Sequence, residues 1–368
     1  MGRLVCHLVD DTRNLHMPFF RFIERDHDPE SFPVTFCIVQ PPGPVTNPTW
    51  EVKSHVASLG VVSRWRYPVA IHRLVRLLRR RQVAVLHAHL YEPTLIGVVA
   101  ARLAGVKVVF TRHHSDHNIR TGKRRHVLLD ALATRLADRV IAVSEATREL
   151  MVAVERAPGE KVITVHNGMD PIDSPDPAVV ERTRAEVNPD GRRVILMIAR
   201  LHDEKGHRVL IDALPQVIES VGPVQVLLAG AGPHREEIAA RIRDARLDAV
   251  VRLLGRRDDV PVLLALSALV VQPSLAESFG YALVEAMCLG KPIVASRCGG
   301  IPEVVGTDAG LLVPMADPQA LATAMIDVLR SPEMARRLGE AGRKRAQLFT
   351  SERMVRAYED VYRSVLAP

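Results

Sequence analysis

Two successive α/β domains, each built on a parallel sheet, are what this 368-residue sequence predicts. Three observations carry the expectation. Short apolar runs of strand length alternate with amphipathic runs of helix length, the rhythm of a parallel sheet with helices on both faces. That rhythm breaks once, from Asp170 to Gly191, where Pro171, Pro175, Pro177 and Pro189 gather with several acids, and then restarts. A chain of this length also exceeds what one hydrophobic core comfortably serves.

The elements follow in order. In the first half, strands are expected at residues 3–9, 32–39, 83–86, 106–110, 140–143 and 162–165. Pro41-Pro42-Gly43-Pro44 stops the second of them. Segment 10–17, Asp-Asp-Thr-Arg-Asn-Leu-His-Met, reads as the loop after the first strand. A helix is expected at 68–81, where Val69, Leu74, Leu77 and Leu78 recur at helical spacing between arginines. Further helices are expected at 91–104, closed by Gly105, at 127–137 and at 145–154. In the second half, strands are expected at 194–198, 224–229, 250–253, 268–271, 293–295 and 310–313, with helices between them. Helices at 320–329, 332–348 and 351–366 end the chain. The expected domains are residues 1–172 and 190–348, followed by a closing helical segment, 349–368.

Composition narrows the functional classes. The 47% hydrophobic content permits sizeable cores, and the 4% aromatic content leaves their packing to Leu, Val, Ile and Ala. Cys6, Cys37, Cys288 and Cys298 show no C-x-x-C spacing and no disulfide density, so a reducing, cytoplasmic setting is expected. No basic-then-apolar leader and no apolar run of membrane-spanning length is present, and Cys6 occupies the position where a myristoylation signal needs Ser or Thr. The net charge of +7 lies wholly in residues 1–173, which hold 24 Lys and Arg against 17 Asp and Glu. A basic first half suits an acidic acceptor or a weak, peripheral contact with an anionic inner membrane face, or is simply a solvated surface. Nucleic acid is not expected among the partners.

The densest chemistry lies in Glu277-Ser-Phe-Gly-Tyr-Ala-Leu-Val-Glu285. Apolar Leu269-Val270-Val271 precedes it and a helix-compatible run from Tyr281 to Leu289 follows. A strand that turns tightly into a helix exposes backbone N–H groups at the helix start, a ready anion site. Glu277 and Glu285 bracket that site, which suits a nucleotide-sugar with its diphosphate on the helix end. Arg200 and Lys205 flank the loop after strand 194–198. Cations there would stabilise the charge that builds on a departing diphosphate. Open parallel sheets bind ligands beyond the carboxyl ends of their strands, so these residues predict a single cleft.

The Glu277-x7-Glu285 run, followed by Ala286-Met287-x-x-Gly290-Lys291-Pro292, resembles the signature of the retaining glycosyltransferases of family 4. Those enzymes have the GT-B fold, two Rossmann-like α/β domains facing across a cleft. Arg200-Leu-His-Asp-Glu-Lys205-Gly206 is similar to their pair of basic donor-phosphate residues, and Gly230-Ala-Gly232-Pro233 to a turn in their C-terminal domain. Val143-Ser-Glu145 and His166-Asn167-Gly168-Met-Asp170 are similar to landmarks late in their N-terminal domain. The resemblance spans residues 83–300.

It implies transfer of a sugar from a UDP-, GDP- or dTDP-sugar to an acceptor hydroxyl with the anomeric configuration kept, without cofactor or metal. Catalytic roles fall to His113, Arg200, Lys205 and Glu277. Donor contacts fall to Ser278, Phe279, Gly280, Tyr281, Glu285, Arg256 and Gly230. The acceptor side is expected at Asp10, Asp11, His89 and His114, with His114 also the register alternative to His113. The last helix is expected to cross back to the N-terminal domain. Zinc at His87, His89, His113, His114, Asp116 and His117 is the competing reading of the histidines. One departure stands out. Many family members carry a Gly-Gly loop after the first strand, where this chain has acids and no glycine. A nucleotide-sugar epimerase of the same fold and a non-catalytic nucleotide-sugar-binding module are the alternative functions.

Overall fold

In the computed structural model, which describes residues 2–44, 50–113 and 124–367, the apolar runs of the first half form a seven-stranded sheet. Its strands are Val5–Val9 (β1), Val34–Ile38 (β2), Val56–Ser58 (β3), Val85–His89 (β4), Lys107–Arg112 (β5), Arg139–Ala142 (β6) and Val162–Thr164 (β7). They lie in the order β3-β2-β1-β4-β5-β6-β7, every pair parallel. The second half repeats the plan with Arg193–Ile198 (β8), Val224–Ala229 (β9), Val251–Gly255 (β10), Leu269–Gln272 (β11), Ile293–Ser296 (β12) and Leu311–Val313 (β13), ordered β10-β9-β8-β11-β12-β13. In both sheets the chain steps outward over three strands and then returns to the far side of the first. The crevice that this reversal opens lies between β1 and β4 in one sheet and between β8 and β11 in the other, at the strands' carboxyl ends. Both domains are therefore Rossmann-like.

The chain divides into two compact units, Met1–Asp170 with Phe349–Pro368, and Pro171–Leu348. In the first, helices Tyr67–Arg80, Tyr91–Ala104 and Arg124–Leu136 cover one sheet face, burying Leu74, Leu78, Ile96 and Ala133 against Leu8, Leu86 and Phe110. The other face carries helix Pro18–Asp26 and the C-terminal helix Ser351–Leu366, whose Tyr358 and Tyr362 are fully buried among Val5, Val85, Val109 and Ile141. Thr350 caps that last helix, and Met169 and Thr350 form an isolated parallel bridge beside it. In the second unit, Asp317 and Ser331 cap helices Pro318–Arg330 and Pro332–Ala346, each with proline in the first turn, where its missing N–H costs nothing.

Local sequence misleads in four places. Segment 10–17 is not all loop: Asp11 accepts from the Asn14 N–H at 2.8 Å and caps helix Thr12–Leu15. The proline-rich stretch after Asp170 contains helix Pro177–Val187, again with proline at its start and Asp176 as cap. The strand expected at 83–86 runs from Val85 to His89, so His87 and His89 are strand residues. Strand β3 at the sheet edge has only three residues, too few for period-2 alternation to reveal.

Candidate active site

Beyond β8 the chain passes through Arg200 into the single turn Asp203–Lys205 and then helix His207–Val221. Beyond the neighbouring β11 it passes Glu277 and enters helix Tyr281–Cys288. Two segments 72 positions apart are thereby joined: Lys205 Nζ donates to Glu277 Oε2 at 2.8 Å. Gln272, the last residue of β11, donates to the same oxygen through Nε2 at 2.7 Å. Both side chains of the ion pair are largely buried. The two donors fix the direction of the carboxylate, and Oε1 meets no donor among the described residues.

Gly280 turns the chain with φ 102°, a left-handed value that a side chain would resist, and starts helix Tyr281–Cys288 with no side-chain cap. The first backbone N–H groups of such a helix have no intrahelical acceptor. Phe279, 3% exposed, anchors the turn in the core. The loop after β12 supports it from below, with the Gly300 N–H donating to Glu277 O at 3.0 Å. Glu285 lies half-buried one turn into the helix, where burial alone pushes its carboxyl up to about 7.

A cavity of about 310 Å³ lies at the ends of β8, β9 and β10, lined by Arg200, Gly230, Arg256 and Arg257 among others. Gly230 is needed there because a Cβ would stand 1.9 Å from the Ala199 carbonyl oxygen. The cavity's arginines differ. Arg257 is tied to Asp259 at 2.7 Å and to Glu186 at 3.0 Å. Arg256 is exposed, with an ion-pair contact to Asp258 at 3.5 Å. Arg200 is also exposed and reaches Glu204 at 3.0 Å within its own loop. The structure thus brings Lys205, Glu277 and Gln272 into contact and places Arg200, Gly230 and Arg256 around one cavity.

In the first unit, His7 of β1 and His87 and His89 of β4 point to the same buried side of the sheet. His7, His89 and His113 form a hydrogen-bonded chain. His7 Nδ1 meets His89 Nε2 at 3.0 Å, and His89 Nδ1 meets His113 Nε2 at 3.3 Å. His87 spends both ring nitrogens, on the Tyr362 hydroxyl at 2.5 Å and on Thr111 Oγ1 at 2.7 Å. The acceptor-side expectation for His89 therefore needs correction. The side chain is 0% exposed, packed against Phe19 and Phe20, and reaches the strand end only through half-buried His113. His114, Asp116 and His117 lie outside the described residues.

Ligand atoms of His7, His87 and His89 do lie within 4.8 Å of one another. The rings of His87 and His89 stack at 4.2 Å, so their in-plane lone pairs run side by side, and His7 Nδ1 and His89 Nε2 are spent on each other at 3.0 Å. Asp203, His234 and Glu237 gather on the second unit's surface, with Arg208 inserted among them. Asp11 is engaged as a helix cap, and Asp10 accepts from Gln40 Nε2 at 3.3 Å while burial raises its pKa. A cavity of about 700 Å³ opens beside these two acids, lined by Thr12, Leu15, His16 and Trp50.

Burial, reinforced by neighbouring imidazoles, holds His7, His87 and His89 well below the ordinary histidine value. Each is neutral when folded and takes up a proton on unfolding below about pH 6.5. The stability they contribute is complete above that value and is lost as pH falls. The expected loss approaches about 1.4 kcal/mol per pH unit for each histidine. Denaturant unfolding between about pH 7 and pH 5 measures it; a flat profile would show that these rings are not buried neutral in solution.

Gln272 and the Gly299-Gly300 pair escaped the sequence reading. The signals were there: a polar residue closing an apolar strand, and a Gly-Gly step directly after another strand.

Comparison with known proteins places the chain. The family model described as glycosyl transferases group 1 matches residues 180–345, and that described as glycosyltransferase family 4 matches residues 28–172. The chain is 31% identical over 313 residues to the phosphatidyl-myo-inositol mannosyltransferase of Mycobacterium leprae (strain TN), covering 82% of this chain and 80% of that one. It is 28% identical over 330 residues to the N-acetyl-alpha-D-glucosaminyl L-malate synthase of Bacillus anthracis, covering 85% and 84%. Among solved structures, sucrose-phosphate synthase from Thermosynechococcus elongatus superposes with a TM-score of 0.80 at 20% identity, covering 98% of each chain. Anabaena HepE in complex with UDP and glucose gives 0.79 at 22% identity, covering 98% of this chain and 99% of that one. With both halves of the sequence matched and two relatives aligned over four fifths of its length, the chain belongs to glycosyltransferase family 4 and is a glycosyltransferase of GT-B fold.

Proposed function

We propose that the protein moves a sugar from a nucleoside diphosphate sugar to an acceptor hydroxyl and keeps the anomeric configuration. The observation that carries this reading is the Lys205–Glu277–Gln272 contact at the β8/β11 switch point, beside a helix start without a side-chain cap. In this reading the diphosphate rests on the backbone of Ser278, Phe279, Gly280 and Tyr281. Lys205 and Arg200 take up the negative charge that grows as the bond from the anomeric carbon to the phosphate oxygen breaks. The electron pair leaves with that oxygen. The acceptor hydroxyl attacks from the same face, and its proton passes to the departing phosphate. Oriented by its two donors, Glu277 holds hydroxyls of the transferred sugar. Glu285 accepts from the ribose, Arg256 and Gly230 border the base, and His113 steadies the sugar.

Fixed positive charge does here what a divalent ion does elsewhere, so no metal is needed. Activity is expected to persist in excess chelator, and the coupling constant of the new linkage in an NMR spectrum should match the donor's anomeric configuration. An inverted product removes the retaining assignment; activity that chelation abolishes and metal restores removes the metal-free one. HepE structures hold UDP and UDP-glucose, which makes uridine donors the first to test, followed by GDP- and dTDP-sugars, by thermal shift. Nucleotide release that needs an acceptor separates transfer from epimerisation and from mere binding. No helix among the described residues is long and apolar enough to cross a membrane. The excess positive charge of residues 1–173 supports a peripheral contact with anionic membrane as part of the same proposal.

A further inference from the structure

We infer that the first unit docks on an anionic lipid surface through the outer face of helices Tyr67–Arg80, Tyr91–Ala104 and Arg124–Leu136. This names the surface for the membrane contact proposed above and rests on it. The three helices cover one face of the sheet, the second in contact with both the others, and their inner sides are buried in one core. Their outer side is apolar where a solvated surface would be polar. Leu128 is 70% exposed, Leu132 51% and Leu103 59%. Leu128, Leu132 and Leu136 stand one turn apart, so they form a continuous ridge along their helix. Trp65, just before the first helix, is 94% exposed. The neighbouring Arg64 binds Glu92 at 2.8 Å, which ties the Trp65 segment to the start of the second helix.

The charge on this face has one sign. Helix Tyr67–Arg80 contains no acid, while Arg73, Arg76, Arg79 and Arg80 are exposed along it. The other two helices contain one acid each. Glu92 is paired with Arg64, and Asp130 is buried against Arg112 at 2.8 Å. A leucine ridge, an exposed tryptophan and an arginine border without free acids are the make-up of a surface that lies in the lipid interface. The occupant follows from the charge. A second copy docking through the same face would bring arginines against arginines, with the two acids of these helices already paired. Nucleic acid would take the arginines and leave the leucines in water. Anionic lipid satisfies both, with headgroups on the arginines and acyl chains on the leucines.

Co-sedimentation of the full chain with vesicles tests this. Binding is expected to vesicles of mixed phosphatidylcholine and phosphatidylglycerol, to be weaker on phosphatidylcholine alone, and to be reduced but not abolished by high salt. The double variant Leu128→Ser/Leu132→Ser should bind at least about tenfold more weakly, because it removes the apolar surface that leaves water on docking. Arg76→Ser and Arg80→Ser should each lower binding about fivefold. All these side chains are exposed, so thermal melting should be unchanged and a binding loss cannot be a folding loss. Wild-type binding that survives all the substitutions overturns this face and leaves the membrane contact standing. Absence of wild-type binding overturns both. A dimer in light scattering that Leu128→Ser/Leu132→Ser converts to monomer overturns the lipid assignment and makes the face an interface between copies. None of these outcomes bears on the Lys205–Glu277 contact, which lies in the other unit.

Discussion

Replacing Lys205 with alanine is expected to lower turnover by a factor of about 100 or more, while donor affinity falls far less. In the proposed reaction the ammonium group acts most strongly on the charge that appears as the diphosphate leaves, which the bound ground state has not yet developed. The substitution also strips a partner from a largely buried carboxylate, leaving Gln272 to hold Glu277. A stability cost of about 1–3 kcal/mol should accompany the rate loss. Arg200→Ala separates the two effects. Arg200 is exposed and, among the described residues, paired with Glu204 across one turn, so its loss should change stability by less than about 0.5 kcal/mol. Its turnover should nevertheless fall substantially. Steady-state kinetics with thermal melting of both variants makes the comparison, and near-wild-type turnover in both would remove the assigned role.

Glu285→Gln is expected to make the protein more stable and a poorer binder of donor. Burial raises this carboxyl from 4.5 to about 7 in the folded chain. The folded state therefore holds its proton more tightly than the unfolded state. The stability that this proton provides is fully present below about pH 4.5 and is lost as pH rises to about 7. Above that, keeping the ionised group half-buried costs on the order of 1–3 kcal/mol. The amide removes the cost at pH 8 and changes little at pH 4.5, so the gain in melting temperature should appear only at the higher pH. Donor binding should behave oppositely. If the ionised group accepts from ribose hydroxyls, the wild-type donor KM should rise as pH falls below about 7, and the variant's KM should be flat and higher throughout. Equal pH profiles for the two proteins would disconnect Glu285 from the donor. Stability given up at a binding group is the usual cost of placing a carboxylate where ligand rather than water will solvate it.

The local sequence was enough for the alternation of strands and helices, for helix Ser351–Leu366 to the residue, and for the turn at Gly280 between two glutamates. Each depends on neighbours a few positions away: apolar periodicity, a capping threonine, and a glycine where φ must be positive. It also set Arg200, Lys205 and Glu277 in the loops that follow apolar strands, which is where the chain has them, beyond β8 and β11. Only the tertiary structure decided what they touch. That Lys205 meets Glu277 depends on β11 returning to the far side of β8, a pairing between distant segments that no local pattern encodes. The same reversal in the first sheet sets β4 beside β1, so that His7, His87 and His89 are buried on one side of the sheet, His7 and His89 bonded to each other and His87 to Tyr362 and Thr111. Tyr358 and Tyr362, 0% exposed, bring the last helix onto that histidine side. Periodicity states that a residue is on the apolar side of its element. It carries no information about which other element covers that side, because burial energy is non-directional and the choice of partner is made by the whole core.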